Sequence, residues 1–247
     1  MTFGAGGSGN GENTLAIARR LKERYGVLPM AHLPCIHYAK AQIDQILEQF
    51  QENGIENILA LRGDRVEGLT PTTDFDHAAD LIRYIRSKTG SFDIAGACYP
   101  ECHPEAPNMD TDIRHLKEKV DAGASHLITQ LFFDNDSFYD FRYRAARAGV
   151  NVPIEAGIMP VTNRKQIERM VTMCGASLPR KFTKMVQRFE DNPDALRDAG
   201  IAYAIDQIVD LVTDGVDGIH LYTMNNPYVA RKISEAVGGI IKAATKC

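Results

Sequence analysis

The sequence predicts an α/β protein built as a closed (β/α)8 barrel of the TIM type, and three observations carry that prediction. Six apolar runs of strand length recur along the chain, segments of helical period separate them, and polar side chains gather near the C-terminal end of nearly every run. The runs are Leu28–Cys35, Asn57–Asp64, Asp93–Pro100, His126–Phe133, Ile154–Val161 and Gly218–Met224. Each is apolar without strict alternation, as in a strand buried on both faces. Apart from a longer last gap, their starts fall about 30 residues apart, the spacing of parallel strands joined by crossover helices.

Between the strands, the first helix is predicted at Ala41–Asn53, where Ile43, Ile46, Leu47 and Phe50 form one stripe. Further helices are predicted at Phe75–Lys88, Asp112–Ala122, Ser137–Ala148, Arg164–Met173 and Val229–Ala243. Gly54, Gly90, Gly123 and Gly149 stand where helices should stop, and Asp136 with Ser137 where one should start. The stretch Cys174–Ala199, with Pro179 and Pro193, reads as extra helices inserted before a helix around Gly200–Thr213.

The polar groups decide between an open and a closed sheet. An open sheet collects its ligand residues at one switch point. Here His32, Arg62 with Asp64, Tyr99 with Glu101 and His103, Gln130, and Tyr222 with Asn225 are spread over many strand ends, as on the active face of a barrel. Six strands and a stub at Met1–Phe3 fall short of the eight expected, so the barrel is predicted to lack its first strand and most of its second.

At 247 residues the chain is expected to be a single domain, 1–247. No apolar run reaches the roughly 20 residues of a membrane span, and the glycine-rich start has neither the basic nor the apolar region of a secretory signal. A cytoplasmic location is therefore expected. A net charge of −4 offers no basic field for a nucleic-acid backbone, which favours small molecules as ligands. The five cysteines, odd in number and scattered, fit reduced thiols.

Several segments could carry chemistry. Leu61–Asp64 (LRGD) ends a strand with a cation, a glycine and a carboxylate: Gly63 permits close backbone approach to a ligand, while Arg62 and Asp64 are either ligand groups or a loop-anchoring ion pair. Tyr99–Glu105 (YPECHPE) packs a phenol, two carboxylates and an imidazole into a proline-stiffened turn. Cys98, Cys102 and His103 lack the spacing and the fourth ligand of a zinc site, so no metal is expected, and His103 reads as a group near a bound anion or a satisfied hydrogen-bonding residue. Gln130 interrupts the apolar run HLITQLFF with an amide that needs a partner, either a ligand or a neighbouring strand end. Gly4–Gly11 (GAGGSGNG) is either a phosphate-cradling loop or a mobile surface loop.

Taken together, TFGAGGSG at Thr2–Gly9, AHLPC at Ala31–Cys35, LALRGD at Leu59–Asp64, YPECHPEA at Tyr99–Ala106, KVDAGASHLITQLFFD at Lys119–Asp134, GIMPVTN at Gly157–Asn163 and LYTMN at Leu221–Asn225 resemble the methylenetetrahydrofolate reductase family nearly end to end. The resemblance implies a flavin-binding barrel with FAD at its C-terminal face, reducing 5,10-methylenetetrahydrofolate to 5-methyltetrahydrofolate with NADH or NADPH as donor. It implies Thr2 near the nicotinamide, and Phe3, Ala5, His32, Arg62, Gly63, Asp64, Ala78 and Tyr99 along the flavin. His103, Asp112, His115, Glu118 and Lys119 match FAD-contacting positions farther along the cofactor. Relatives can carry Asn and Arg at positions 115 and 118, so a weaker pyrophosphate grip would allow FMN in place of FAD. Gln130 and Gln166 match folate-contacting positions, and Asn226 stands where some relatives have a folate-contacting arginine.

Under that resemblance Asp64 is the expected catalytic residue, an electrostatic tuner that favours a cationic iminium on the folate. The family's general acid, a glutamate in an FEFFPP-like segment on the first strand, has no counterpart in these residues. Met1 stands where relatives have valine, so the expectation is a start assigned too late, at a GTG codon read as methionine. Two other readings stay open: a flavin subunit working with a second electron-transfer subunit, and a pterin-using barrel methyltransferase. A homo-oligomer is also compatible with the sequence.

Overall fold

A computed structural model of the chain describes residues 11–64, 68, 71–72, 74–163, 167, 170–171 and 174–245. Among them lie six strands in one sheet, ordered β1-β2-β3-β4-β5-β6, and eight helices. The strands are β1 (Met30–Pro34), β2 (Asn57–Leu61), β3 (Asp93–Cys98), β4 (His126–Thr129), β5 (Ile154–Ile158) and β6 (Gly218–Leu221). Pairing is parallel from β1 through β3 and again between β5 and β6, with Ala31 opposite Ile58, Ile58 opposite Ile94 and Gly157 opposite His220. The helices are α1 (Gly11–Tyr25), α2 (Lys40–Glu52), α3 (Ala78–Lys88), α4 (Met109–Asp121), α5 (Asn135–Arg147), α6 (Arg180–Phe189), α7 (Pro193–Thr213) and α8 (Pro227–Ala244).

Backbone contacts divide the chain into two compact units, Met1–Ala97 with Leu116–Leu127, and Cys98–His115 with Ile128–Cys247. In the first, one face of the sheet is apolar because alternate residues point the same way: Ala31, Leu33 and Cys35 beside Ile58 and Ala60. Ile43, Ile46, Leu47 and Phe50 of α2, with Leu81, Ile82 and Ile85 of α3, pack in the same core. Each such side chain contributes roughly 1.5–3 kcal/mol on burial. His32, opposite Leu59 in the ladder, lies on the other face and is half-buried.

In the second unit, Phe133, Phe182 and Tyr203 form the centre of a core with Leu131, Met159 and Val161. The rings of Phe133 and Phe182 stack at 4.4 Å, and the Tyr203 hydroxyl donates to the Phe133 carbonyl at 2.6 Å. Asn192 caps α7 by accepting from the Ala195 N–H, with Pro193 in the first turn. Gly200 of α7 lies so close to the strand-end backbone that a Cβ there would stand 1.7 Å from the Val161 carbonyl oxygen.

Five of the six strands begin at the predicted residue, but all six are shorter than predicted at the C-terminal end. Several end just before the residues singled out for chemistry: Arg62, Tyr99 and Gln130 each lie outside the ladder, not within it. Gln130 therefore does not interrupt a strand, because β4 stops at Thr129. Helix α7 begins at Pro193 and runs unbroken through Gly200, since a proline in the first turn of a helix opens it instead of breaking it. The cap of α5 is Asp134, which accepts from the Asp136 N–H, in place of the predicted Asp136 and Ser137. Of the four stop glycines, Gly54, Gly123 and Gly149 have positive φ, but α3 ends on Thr89 in extended backbone. Helix α1 has no counterpart among the predicted elements. The helix predicted at Arg164–Met173 lies largely outside the described residues.

Candidate active site at the strand ends

The turn after β2 is built on the end of β1. The Cys35 and Ile36 N–H groups both donate to the Arg62 carbonyl, at 3.1 and 2.8 Å, extending the ladder past the last strand residue. Gly63 then turns the chain with φ 88°, and a Cβ there would meet Pro34 Cβ at 2.9 Å and Ile36 Cγ2 at 3.3 Å. Both facts exclude a side chain. Arg62 is half-buried, with its Nε donating to the Gly63 carbonyl at 3.2 Å. Asp64 is exposed, and its carbonyl accepts from His37 Nε2 at 3.1 Å. Ala78, buried, opens α3 on the far side of this loop. Burial pushes the neighbouring Cys35 thiol up to about 12, with Asp80 adding to the effect, so it stays protonated.

In the second unit, the turn after β3 closes on itself. The Tyr99 and His103 rings meet edge to face at 4.5 Å, and Cys102 between them has φ 73°, an uncommon conformation for a residue with a side chain. His103 Nδ1 accepts from the Glu105 N–H at 3.0 Å, so in the neutral ring the proton sits on Nε2. The His103 N–H donates to Asp112 Oδ2 at 2.8 Å, which ties the turn to the first helical turn of α4. Glu101 Oε2 accepts from the Ser177 N–H at 2.9 Å, while its buried Oε1 has no partner.

Beyond β4, the Gln130 N–H donates to the Cys98 carbonyl at 2.7 Å. Its side-chain oxygen accepts from the Leu131 N–H at 2.9 Å, which leaves the amide with N–H groups to offer. Below it, buried Thr129 ties β4 to β5 and β6: its hydroxyl accepts from the Gly157 N–H at 2.8 Å, and its carbonyl accepts from the Tyr222 hydroxyl at 2.9 Å. Burial raises the Tyr222 phenol above its ordinary range, so it remains a donor. A Cβ at Gly157 would stand 2.3 Å from the Thr129 carbonyl oxygen.

Other predicted ligand residues are engaged within the protein. Lys119 Nζ donates to the Ala97 carbonyl at 2.7 Å. Asn226 caps α8, its oxygen accepting from the N–H groups of Tyr228 and Val229 at 3.1 and 3.3 Å. His115 and Glu118 are exposed on α4. Thr2, Phe3, Ala5, Gln166 and the stretch Gly4–Asn10 lie outside the described residues. Sequence reasoning missed His37 and Thr129. A histidine directly after the apolar run LPCI was the available signal for the first; nothing in the pattern marks the second.

Among the described residues no group of three or more His, Cys, Asp or Glu side chains is arranged to hold a metal, and no helix is long and apolar enough to cross a membrane. A depression along α1 is lined by Leu15, Ala16, Arg19, Arg20, Glu23 and Asn53, with Arg19 and Glu23 paired at 2.7 Å on the surface.

The turns that follow the strands thus carry a tightly packed glycine, an exposed carboxylate and a side-chain amide, on an α/β fold with a six-stranded sheet. Residues 1–238 match the family model described as methylenetetrahydrofolate reductase. The 5,10-methylenetetrahydrofolate reductase of Pectobacterium carotovorum subsp. carotovorum is 38% identical over 239 residues, covering 96% of this chain and 78% of the relative. The corresponding enzyme of Escherichia coli (strain K12) is 36% identical over 238 residues, covering 96% and 79%. Methylenetetrahydrofolate reductase (NADH) 1 of Arabidopsis thaliana is 39% identical over 239 residues, but the chain spans only 40% of that longer protein. A solved structure from Clostridium thermocellum, described as binding two copies of 5-methyl-5,6,7,8-tetrahydrofolic acid, superposes with a TM-score of 0.51 at 17% identity, covering 96% of this chain and 91% of that one, a likeness of fold alone. The chain belongs to the methylenetetrahydrofolate reductase family.

Proposed function

We propose that this chain is the flavin-dependent reductase domain that converts 5,10-methylenetetrahydrofolate to 5-methyltetrahydrofolate at the expense of NADH or NADPH, within a (β/α)8 barrel architecture. The family match over residues 1–238 carries this reading, and the residue roles below are part of the proposal. Bound FAD, or FMN in its place, would accept hydride from the nicotinamide and pass it to the folate. The residues present suit the ring end of such a cofactor: Gln130 has amide N–H groups to offer, and Tyr99 presents an aromatic ring packed edge to face against His103. The fit at the phosphate end is thinner, because Asp112 and Lys119 already bond to backbone and His115 and Glu118 are exposed. FMN is therefore a real competitor to FAD.

Asp64 is the residue assigned to the chemistry. Its carboxylate, presented on a turn that only glycine can make, disfavours negative charge nearby and favours a positive iminium on the folate. Gln130 would orient the pterin through its amide N–H groups, and His32, half-buried on β1, is assigned to the flavin. The test is spectroscopic. Protein purified or reconstituted with FAD and, separately, FMN should show flavin absorbance that NADH or NADPH bleaches and methylenetetrahydrofolate restores. Retention of neither flavin would overturn the reading.

A further inference from the structure

We infer that His37 is a positioning residue for Asp64. Its ring donates from Nε2 to the Asp64 carbonyl at 3.1 Å, and since a carbonyl only accepts, the proton is on Nε2. The other nitrogen, Nδ1, is buried without a hydrogen-bond partner. An apolar ring would fill the same space without that desolvation cost, so packing alone does not account for an imidazole here. The bond to Asp64 does.

The position of that bond gives it leverage. On one side of Gly63, the Cys35 and Ile36 N–H groups hold the Arg62 carbonyl. On the other side, His37 holds the Asp64 carbonyl, and Asp64 itself is exposed, so packing contributes little to fixing it. Glycine is the residue about which the backbone pivots most freely. Without the second anchor, the chain beyond Gly63 swings and the carboxylate loses its fixed direction. With it, both ends of the glycine turn are pinned to the three residues that follow β1, Cys35, Ile36 and His37.

This inference rests on the proposed role of Asp64 for its catalytic consequence, but not for its structural one. His37→Phe removes the donor and keeps a ring; His37→Gln keeps an N–H at nearly the Nε2 position. Amide hydrogen exchange at Cys35 and Ile36, whose N–H groups hold the other side of the same turn, followed by NMR without any flavin, should quicken about tenfold in His37→Phe and return toward wild type in His37→Gln. The imidazole nitrogen spectrum of wild type should show the Nε2–H tautomer. In the reconstituted enzyme, folate turnover should fall about tenfold in His37→Phe with KM little changed, and should be restored to within about twofold by His37→Gln. Unchanged exchange in His37→Phe, or a glutamine variant that behaves like the phenylalanine one, would overturn the positioning role. If exchange responds as expected while even the wild type reduces no folate, the clamp stands and the proposed function fails.

Discussion

At the scale of single residues, the turn after β2 is constrained in two ways at once. Gly63 combines a positive φ with a Cβ position 2.9 Å from Pro34, whereas Gly215, φ 72°, has nothing within 4 Å of its own. Gly215→Ala should therefore destabilise by only about 1 kcal/mol, the backbone cost alone. Gly63→Ala adds a collision with a proline ring and should cost about 2–4 kcal/mol, read as a lower urea midpoint at unchanged slope. Equal losses for the two would show that the contact with Pro34 is soft. The tight turn at Gly63 was legible because a charged, glycine-containing tetrad is out of place at the end of an apolar run. The roles of Lys119 and Asn226 were not. A side chain's type says what it can bond, but only the fold shows that the Ala97 carbonyl and the α8 N-terminus already occupy it.

At the scale of elements, strand beginnings were legible and strand ends were not. Apolar residues continue past β4 as Leu131, Phe132 and Phe133 because they are buried in packing, although the ladder has ended. Hydrophobicity reports burial, and burial outlasts pairing wherever a strand runs into a covered loop. Helix α1 escaped notice because it falls between a glycine-rich start and the first strand and is dense in charge. The docking of α5 on α7 supports a pH prediction. Hydrogen bonds from Asn135, and then from the Tyr139 hydroxyl at 2.7 Å, hold the Asp210 carboxyl below the usual carboxylate range. A depressed folded value means that the stabilisation is present above the unfolded pKa, near 4, and is lost as pH falls through the folded one. The stability difference between wild type and Asp210→Asn should accordingly be constant near neutrality and shrink below about pH 4. A difference that grows on acidification would contradict the sign.

For the whole molecule, the alternation of strand and helix was readable because each crossover leaves its own period in the sequence, and the sheet order follows chain order from β1 to β6. Which side chains meet within each unit was not readable, since Thr129 reaching Gly157 and Tyr222 depends on register between strands separated by long excursions. The proposed function carries a prediction at this scale. A cofactor that binds only the folded chain stabilises it by mass action, by about 2.7 kcal/mol at a free concentration of roughly one hundred times Kd. For a chain of this size the thermal midpoint should rise by roughly 5–10 °C on adding FAD or FMN, with the tighter binder giving the larger rise. A midpoint indifferent to both flavins at saturating concentration would argue that neither is the resident cofactor.

The seat of the Val161 carbonyl in the notch at Gly200 works like an indexing pin. Moving α7 along the end of β5 by one residue would bring Ala199 or Ile201 to that notch, and either carries a Cβ where the oxygen must go. The register between helix and strand is thus set independently of how many residues connect them. Residues added at the exposed Glu190–Asp191 corner before the Asn192 cap can loop outward without shifting α7, since lengthening a surface loop costs little in closure entropy. The corner before α7 is therefore where this chain can tolerate added length.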